Sequence, residues 1–211
     1  MTTIFVRLER TKFVIHRHLL IDKSAYFQGA LYGVFDEARK GEMNLERVIT
    51  HVFQVFAHWL YFKTIEFEDD KAWFRTLSNA WLLGHNISAP GFKNYIIDAL
   101  IARVKDTGEL PDVDTINNIY TKTFPGSPLR RLLVDLFAWQ SDPDDGRDSA
   151  CLSLEVDRVF VADLANASMM GWKEGKIRTW ENAPFCTNPE AYHTLIKGKA
   201  RRDVSVDDDA A

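Results

Sequence analysis

The sequence predicts an α+β protein: a small β-sheet packed under a cluster of α-helices, followed by additional helices and a small C-terminal segment. Three observations predict it. Two β-rich runs, TTIFVRL and KFVIH, open the chain and are parted by ERT, which reads as a hairpin. From Arg17 onward, apolar residues recur at helical spacing instead. A single further strand-like run, GEMNL at 41–45, interrupts that helical pattern, so the sheet stays small.

In RHLLIDKSAYFQGALYG, Leu20, Phe27 and Leu31 recur at helical spacing, Ser24 offers an N-cap oxygen and Gly33 a stop. The strongest helical pattern covers 47–62, where Ile49, Val52, Phe53, Phe56, Trp59 and Leu60 make one broad apolar face. TIEF is a brief extended piece, closed by the acidic EDD. A helix over 71–85 carries Trp73, Leu77, Trp81 and Leu82. After the breakers Gly84 and Pro90, the next helix carries Phe92, Ile96, Ile97, Leu100, Ile101 and Val104. VDTINNIYTKTF is a short helix with Asp114 as N-cap candidate, and PGSPLRRLLVDLFAWQ a further amphipathic helix with Ser127 at its cap and Pro128 at its first position. Residues 141–149 contain no apolar side chain and read as a linker. The segment 150–196 mixes strand-like alternation with helical spacing and takes no firm assignment, and 197–211 reads as a disordered tail.

Composition narrows the function. Lys and Arg number 26 against 30 Asp and Glu, a net charge of −4 that argues against a dedicated nucleic-acid binder. Two cysteines, Cys151 and Cys186, are too few for a disulfide scaffold and read as reduced thiols. The charged N-terminus has no secretory apolar core, and no apolar run reaches membrane-spanning length. The expectation is an intracellular protein of the cytoplasm or nucleus, with no membrane and no nucleic-acid partner.

Catalytic and metal motifs are missing from the sequence. There is no phosphate-binding glycine loop, no HExxH, no CxxC and no GxSxG. His16 and His18 lie two apart and share a face of a strand, but no third ligand is placed to complete a metal set. A histidine closing the strand, its ring bonded to backbone at the strand–helix junction, is the expected role of His16. His51 and His58 lie two turns apart on one helix, too far for a shared metal. FEDD and the terminal DDD lack the spacing of a calcium loop. The basic KGKARR, 197–202, is a short run of a kind common near flexible ends, and also of the kind read as a nuclear import signal. No catalytic, cofactor or metal residue is therefore expected, and the protein is read as no enzyme. A rival enzyme with a dispersed site would draw on His85, Cys186 or Asp163. A deep polar pocket gathering ionisable groups would favour that rival, and a flat or grooved apolar surface a binder.

FVIHRHLL (13–20), KSAYFQGAL (23–31), FDEARKGEMNL (35–45), FQVFAHWLYFKTI (53–65) and LSNAWLLGHNISAPGFKNYIIDAL (77–100) stand in an order and at separations that resemble the BTB/POZ domain. IYTKTFPGSPLRRLLVDLFAW (119–139) looks like the region that follows this domain in fungal members. The resemblance implies a BTB/POZ domain over 1–106, a helical extension over 107–140, the linker 141–149, the segment 150–196 and the tail. It implies a protein–protein interaction module, with His16 structural. Such modules form homo- or hetero-oligomers and dock the cullin scaffold of an E3 ubiquitin ligase, and a transcriptional or chromatin scaffold is the alternative. Little precedes the hairpin, so the extra strand and helix through which many animal members swap are not expected. In cullin-binding members a hydrophobic residue, any residue, then Glu precedes the third strand. Phe35 and Glu37 in FDE match that pattern and are the expected partner-binding residues.

Overall fold

A computed structural model describes residues 1–7, 10–32, 36–66, 72–140, 155–173 and 180–196. Strands β1 (Thr2–Val6), β2 (Thr11–Ile15) and β3 (Glu42–Leu45) form one sheet in the order β2-β1-β3. β1 and β2 are the antiparallel hairpin the sequence predicts, while β3 runs parallel to β1. A parallel neighbour demands a long crossover. Helices α1 (Arg17–Lys23), α2 (Ala25–Tyr32) and α3 (Asp36–Lys40) supply it. The hairpin turn lacks glycine, and Arg7 and Arg10 take the left-handed conformation instead, at φ 59° and 54°.

Strand alternation puts Ile4, Val6, Ile15, Met43 and Leu45 on the inner face, all buried. Against them lies α4 (Thr50–Phe62), which buries Val52, Phe53, Val55, Phe56, Trp59 and Leu60. Phe13 meets Phe53 edge-on at 4.9 Å, joining the sheet to this helix. Ser24 separates α1 from α2 as its N-cap role requires. Its Oγ accepts the Phe27 N–H at 3.1 Å and donates to the Ile87 carbonyl at 2.5 Å. One hydroxyl thus starts a helix and fastens it to a loop far along the chain.

Helices α5 (Trp73–Asn86) and α6 (Pro90–Thr107) follow, and α6 meets α4 through Trp59 and Phe92, whose rings lie 5.1 Å apart. Pro90 opens α6, and Gly108 closes it at φ 67°, where a side chain would be strained. Helix α7 (Val113–Lys122) is capped by Asp112, not by Asp114 as expected. The Asp112 carboxylate accepts the Thr115 N–H at 2.8 Å, while Asp114 is exposed in the first turn. The two acids sit two residues apart before one apolar pattern, so spacing alone did not separate them. Helix α8 (Pro128–Gln140) starts as predicted, with the Ser127 Oγ accepting the Arg130 N–H at 3.3 Å. Thr64–Glu66 forms no strand.

The unassigned segment contains α9 (Arg158–Lys173), capped by Asp157, whose carboxylate accepts the Val159 N–H at 2.8 Å. Beyond it, a 3-10 turn at Trp180–Asn182, the short α10 (Pro184–Thr187) and a second 3-10 turn at Pro189–Tyr192 form a compact arm. Phe160, Phe185 and Tyr192 join the same buried cluster as Ile4 and Phe56. The expected linker 141–149 and the expected tail 197–211 lie outside the described residues.

Candidate protein-binding surface and a polar cleft

Glu37 sits on α3 and is exposed. Its carbonyl accepts the Gly41 N–H at 2.9 Å, and Gly41, at φ 66°, turns the chain into β3. The Gly41 carbonyl in turn accepts the Thr3 N–H at 2.8 Å. The segment that carries Glu37 is therefore tied to β1 by backbone bonds. Phe35, its expected companion, lies outside the described residues. Tyr32 on the near side is 71% exposed, with the Arg17 guanidinium 5.9 Å from its ring. Tyr32 lies one place beyond the buried Leu31, off the apolar face, so helical spacing does not mark it. Its signal was an aromatic at a non-core helical position.

His16 does hold the strand–helix junction, but its ring is bonded to a side chain, Tyr61, and not to backbone. Its N–H donates to the Tyr61 hydroxyl at 3.1 Å, and its ring Nδ1 shares a hydrogen bond with the same oxygen at 2.9 Å. Tyr61 is on the last turn of α4, so the bond fastens the start of α1 to that helix. His58 bonds Thr64 at 2.9 Å, within its own neighbourhood. Among the described residues, no group of three His, Cys, Asp or Glu side chains gathers to hold a metal.

Among the described residues, the cleft that Asp163 lines includes neither His85 nor Cys186, the other two candidates for a dispersed enzyme site. His85 stacks on Trp81, ring planes 5° apart, and burial, then the charge of Lys93, lower its pKa below the ordinary value. Burial pushes the Cys186 thiol up, which disfavours the thiolate a nucleophile needs. Asp163 lines a cleft of about 470 Å³ formed by α8, α9 and the arm, with Arg130, Arg131, Asp135, Asn166 and Tyr192 among its walls.

The ionisable groups of this cleft hold elements of the fold together. The Tyr120 hydroxyl donates to Asp163 at 2.9 Å, and the Tyr192 hydroxyl to Asp135 at 2.5 Å. Burial first, then these carboxylates, raise both phenols far above the ordinary tyrosine range, so they stay protonated. The buried Arg130 donates to the Thr123 hydroxyl at 2.8 Å and to the carbonyls of Tyr120 and Thr123, capping the end of α7 with a cation. Arg131 donates to the Ala191 carbonyl at 2.8 Å and so grips the arm. On the facing side, Asn94 exchanges two hydrogen bonds with the Thr194 backbone, at 3.0 and 2.7 Å, and His193 meets Asp98 at 2.8 Å. An ionisable group that stitches α7 to α9, or the arm to α6 and α8, has a sufficient reason to be there without chemistry.

No family model matches the chain, and no curated protein is similar to it. Among the described residues, no helix is long and apolar enough to cross a membrane.

Proposed function

We propose that the chain is a protein–protein interaction module of BTB/POZ type that acts as an adaptor docking a cullin scaffold, with Phe35 and Glu37 as contact residues. The observation that supports it is the order of elements. Hairpin, short helices, a third strand beside β1, a long aromatic helix and two further helices follow one another as the resemblance implies. Within that order Glu37 is exposed on the segment just before β3, and the exposed Tyr32 borders the same loop. An exposed aromatic with a neighbouring carboxylate suits docking, because the ring fills a pocket and the carboxylate fixes orientation.

The test is titration of the purified chain with the N-terminal domain of a cullin, alongside Phe35→Ala and Glu37→Lys. The wild type is expected to bind in the micromolar range, and each variant to lose about 1–2 kcal/mol of binding free energy, as for a central anchor and its polar partner. Thermal melts of the variants should match the wild type. No binding by the wild type at tens of micromolar, or equal binding by both variants, removes the adaptor reading.

A further inference from the structure

Lys93 is out of place where α6 packs on α5. It stands in the first turn of α6, where the helix dipole disfavours a cation, and it is only 8% exposed. A lysine is rarely buried without an acid beside it. Among the described residues, the amine of Lys93 has no ion-pair or hydrogen-bond partner. Its Nζ lies instead 4.8 Å from the centroid of the Trp81 ring, on α5. Gly84 makes room for the stem, since a Cβ there would meet the Lys93 Cγ at 2.9 Å. The indole Nε1 of Trp81 is itself buried and unpartnered, and so is the Ser78 hydroxyl one turn earlier on the same helix. His85 stacks on the same indole and is exposed, so the cluster reaches the surface. Burial lowers the Lys93 pKa below the ordinary lysine value, which enlarges the neutral, nucleophilic fraction. Of the charged groups on the elements packed against α6, only His85 is coupled to this amine, and no carboxylate holds its ammonium form.

We propose that Lys93 is a modification site whose amine accepts a small acyl group, acetyl in the simplest case, from a thioester. The neutral amine attacks the thioester carbonyl. A C–N bond forms, the C–S bond breaks, and one amine hydrogen leaves as the proton that the departing thiolate takes up. Nothing is oxidised or reduced. The product suits the site better than the ammonium does, because an amide carries no charge to desolvate. Its carbonyl oxygen stays within reach of the Trp81 ring and offers an acceptor to an indole N–H that has none. The cation–π contact with Trp81 is given up together with the charge that burial penalises. With so little of the side chain open to solvent, only a short acyl chain fits. The inference rests on α5 and α6 and holds whether or not Glu37 meets a cullin.

The experiment is acetylation of the folded full chain near neutral pH by S-acetyl-N-acetylcysteamine, a small thioester. Peptide mass spectrometry reads the initial rate at each lysine. Lys93 is expected to react at least about fivefold faster than the exposed Lys12 and Lys122. In urea the preference should vanish, because unfolding removes the burial that creates it. His85→Glu sets a carboxylate near the amine and favours the ammonium form, so it should slow Lys93 by about threefold or more and leave Lys12 and Lys122 unchanged. His85→Gln, which adds no charge, should keep the Lys93 rate within about twofold of wild type. His85 is exposed, so both variants should keep the wild-type circular dichroism. A Lys93 that reacts no faster than Lys12 and Lys122 overturns the proposal, as does a preference that persists in urea. A Lys93 rate unchanged by His85→Glu, or slowed as much by His85→Gln, overturns it too.

Discussion

Arg130→Ala removes the guanidinium that closes α7. The side chain is only 7% exposed, and it serves the Thr123 hydroxyl and the carbonyls of Tyr120 and Thr123. Its charge also lies 4.3 Å from the Tyr120 ring. Truncation leaves two carbonyls without their donor, at about 1–3 kcal/mol each if they stay dry. Losing a cation at a helix C-terminus adds about 0.5 kcal/mol. The cleft alongside admits water, which recovers part of the first term. The expected loss is about 3–4 kcal/mol. Arg130→Lys keeps the charge but not the planar fork, and should lose about half as much. Urea unfolding followed by circular dichroism reads both, as a lower midpoint with an unchanged slope. A loss below about 1 kcal/mol for the alanine variant would refute the capping role. Lysine behaving like alanine would show that fork geometry and charge had been weighed wrongly.

Phe56→Ala should cost about 3–5 kcal/mol in the same assay, since the ring is fully buried between Phe27, Phe53, Trp59 and Phe92; a loss under about 1 kcal/mol would mean that α4 turns another face inward. Asp157→Ala should cost about 1 kcal/mol and Asp157→Asn much less, because asparagine can still cap α9; equal losses would contradict the cap. Burial raises the pKa of Asp135 despite its bond from Tyr192 and the nearby Arg131. A carboxyl with a raised folded pKa stabilises the fold when protonated, and that contribution is lost as pH climbs through the raised value. Asp135→Asn, which still accepts from Tyr192, should therefore gain on wild type as pH rises from about 4 towards 7, and a constant difference across that range would contradict it.

The helices were legible where burial follows a period. The i, i+3, i+4 pattern of α4 placed Phe53, Phe56 and Trp59 correctly because tertiary packing and local spacing agree there. Capping was legible at Ser24 and Ser127, each the sole capping side chain directly before its helix. It failed at Asp112 and Asp114, where two equivalent acids compete and only the bend of the chain chooses. Helix α9 was missed because its apolar residues do not keep one face. Phe160 is buried, whereas Val159 is 51% and Val161 43% exposed, and strand-like alternation and helical spacing overlap there. The partner of His16 was illegible for a different reason. Tyr61 stands 45 residues away, and no local pattern carries a contact of that range. The cleft is a product of the same distance, assembled from α8, α9 and the arm. Only Asp163 among its residues drew attention in sequence.

Amide NMR of the isotope-labelled chain during titration with the N-terminal domain of a cullin tests the adaptor reading most directly. Resonance changes are expected at Tyr32 and from Glu37 through Leu45, with Asp135, Asp163 and Tyr192 unmoved. An unchanged spectrum at saturating cullin, or changes confined to the α8–α9 cleft, would contradict it.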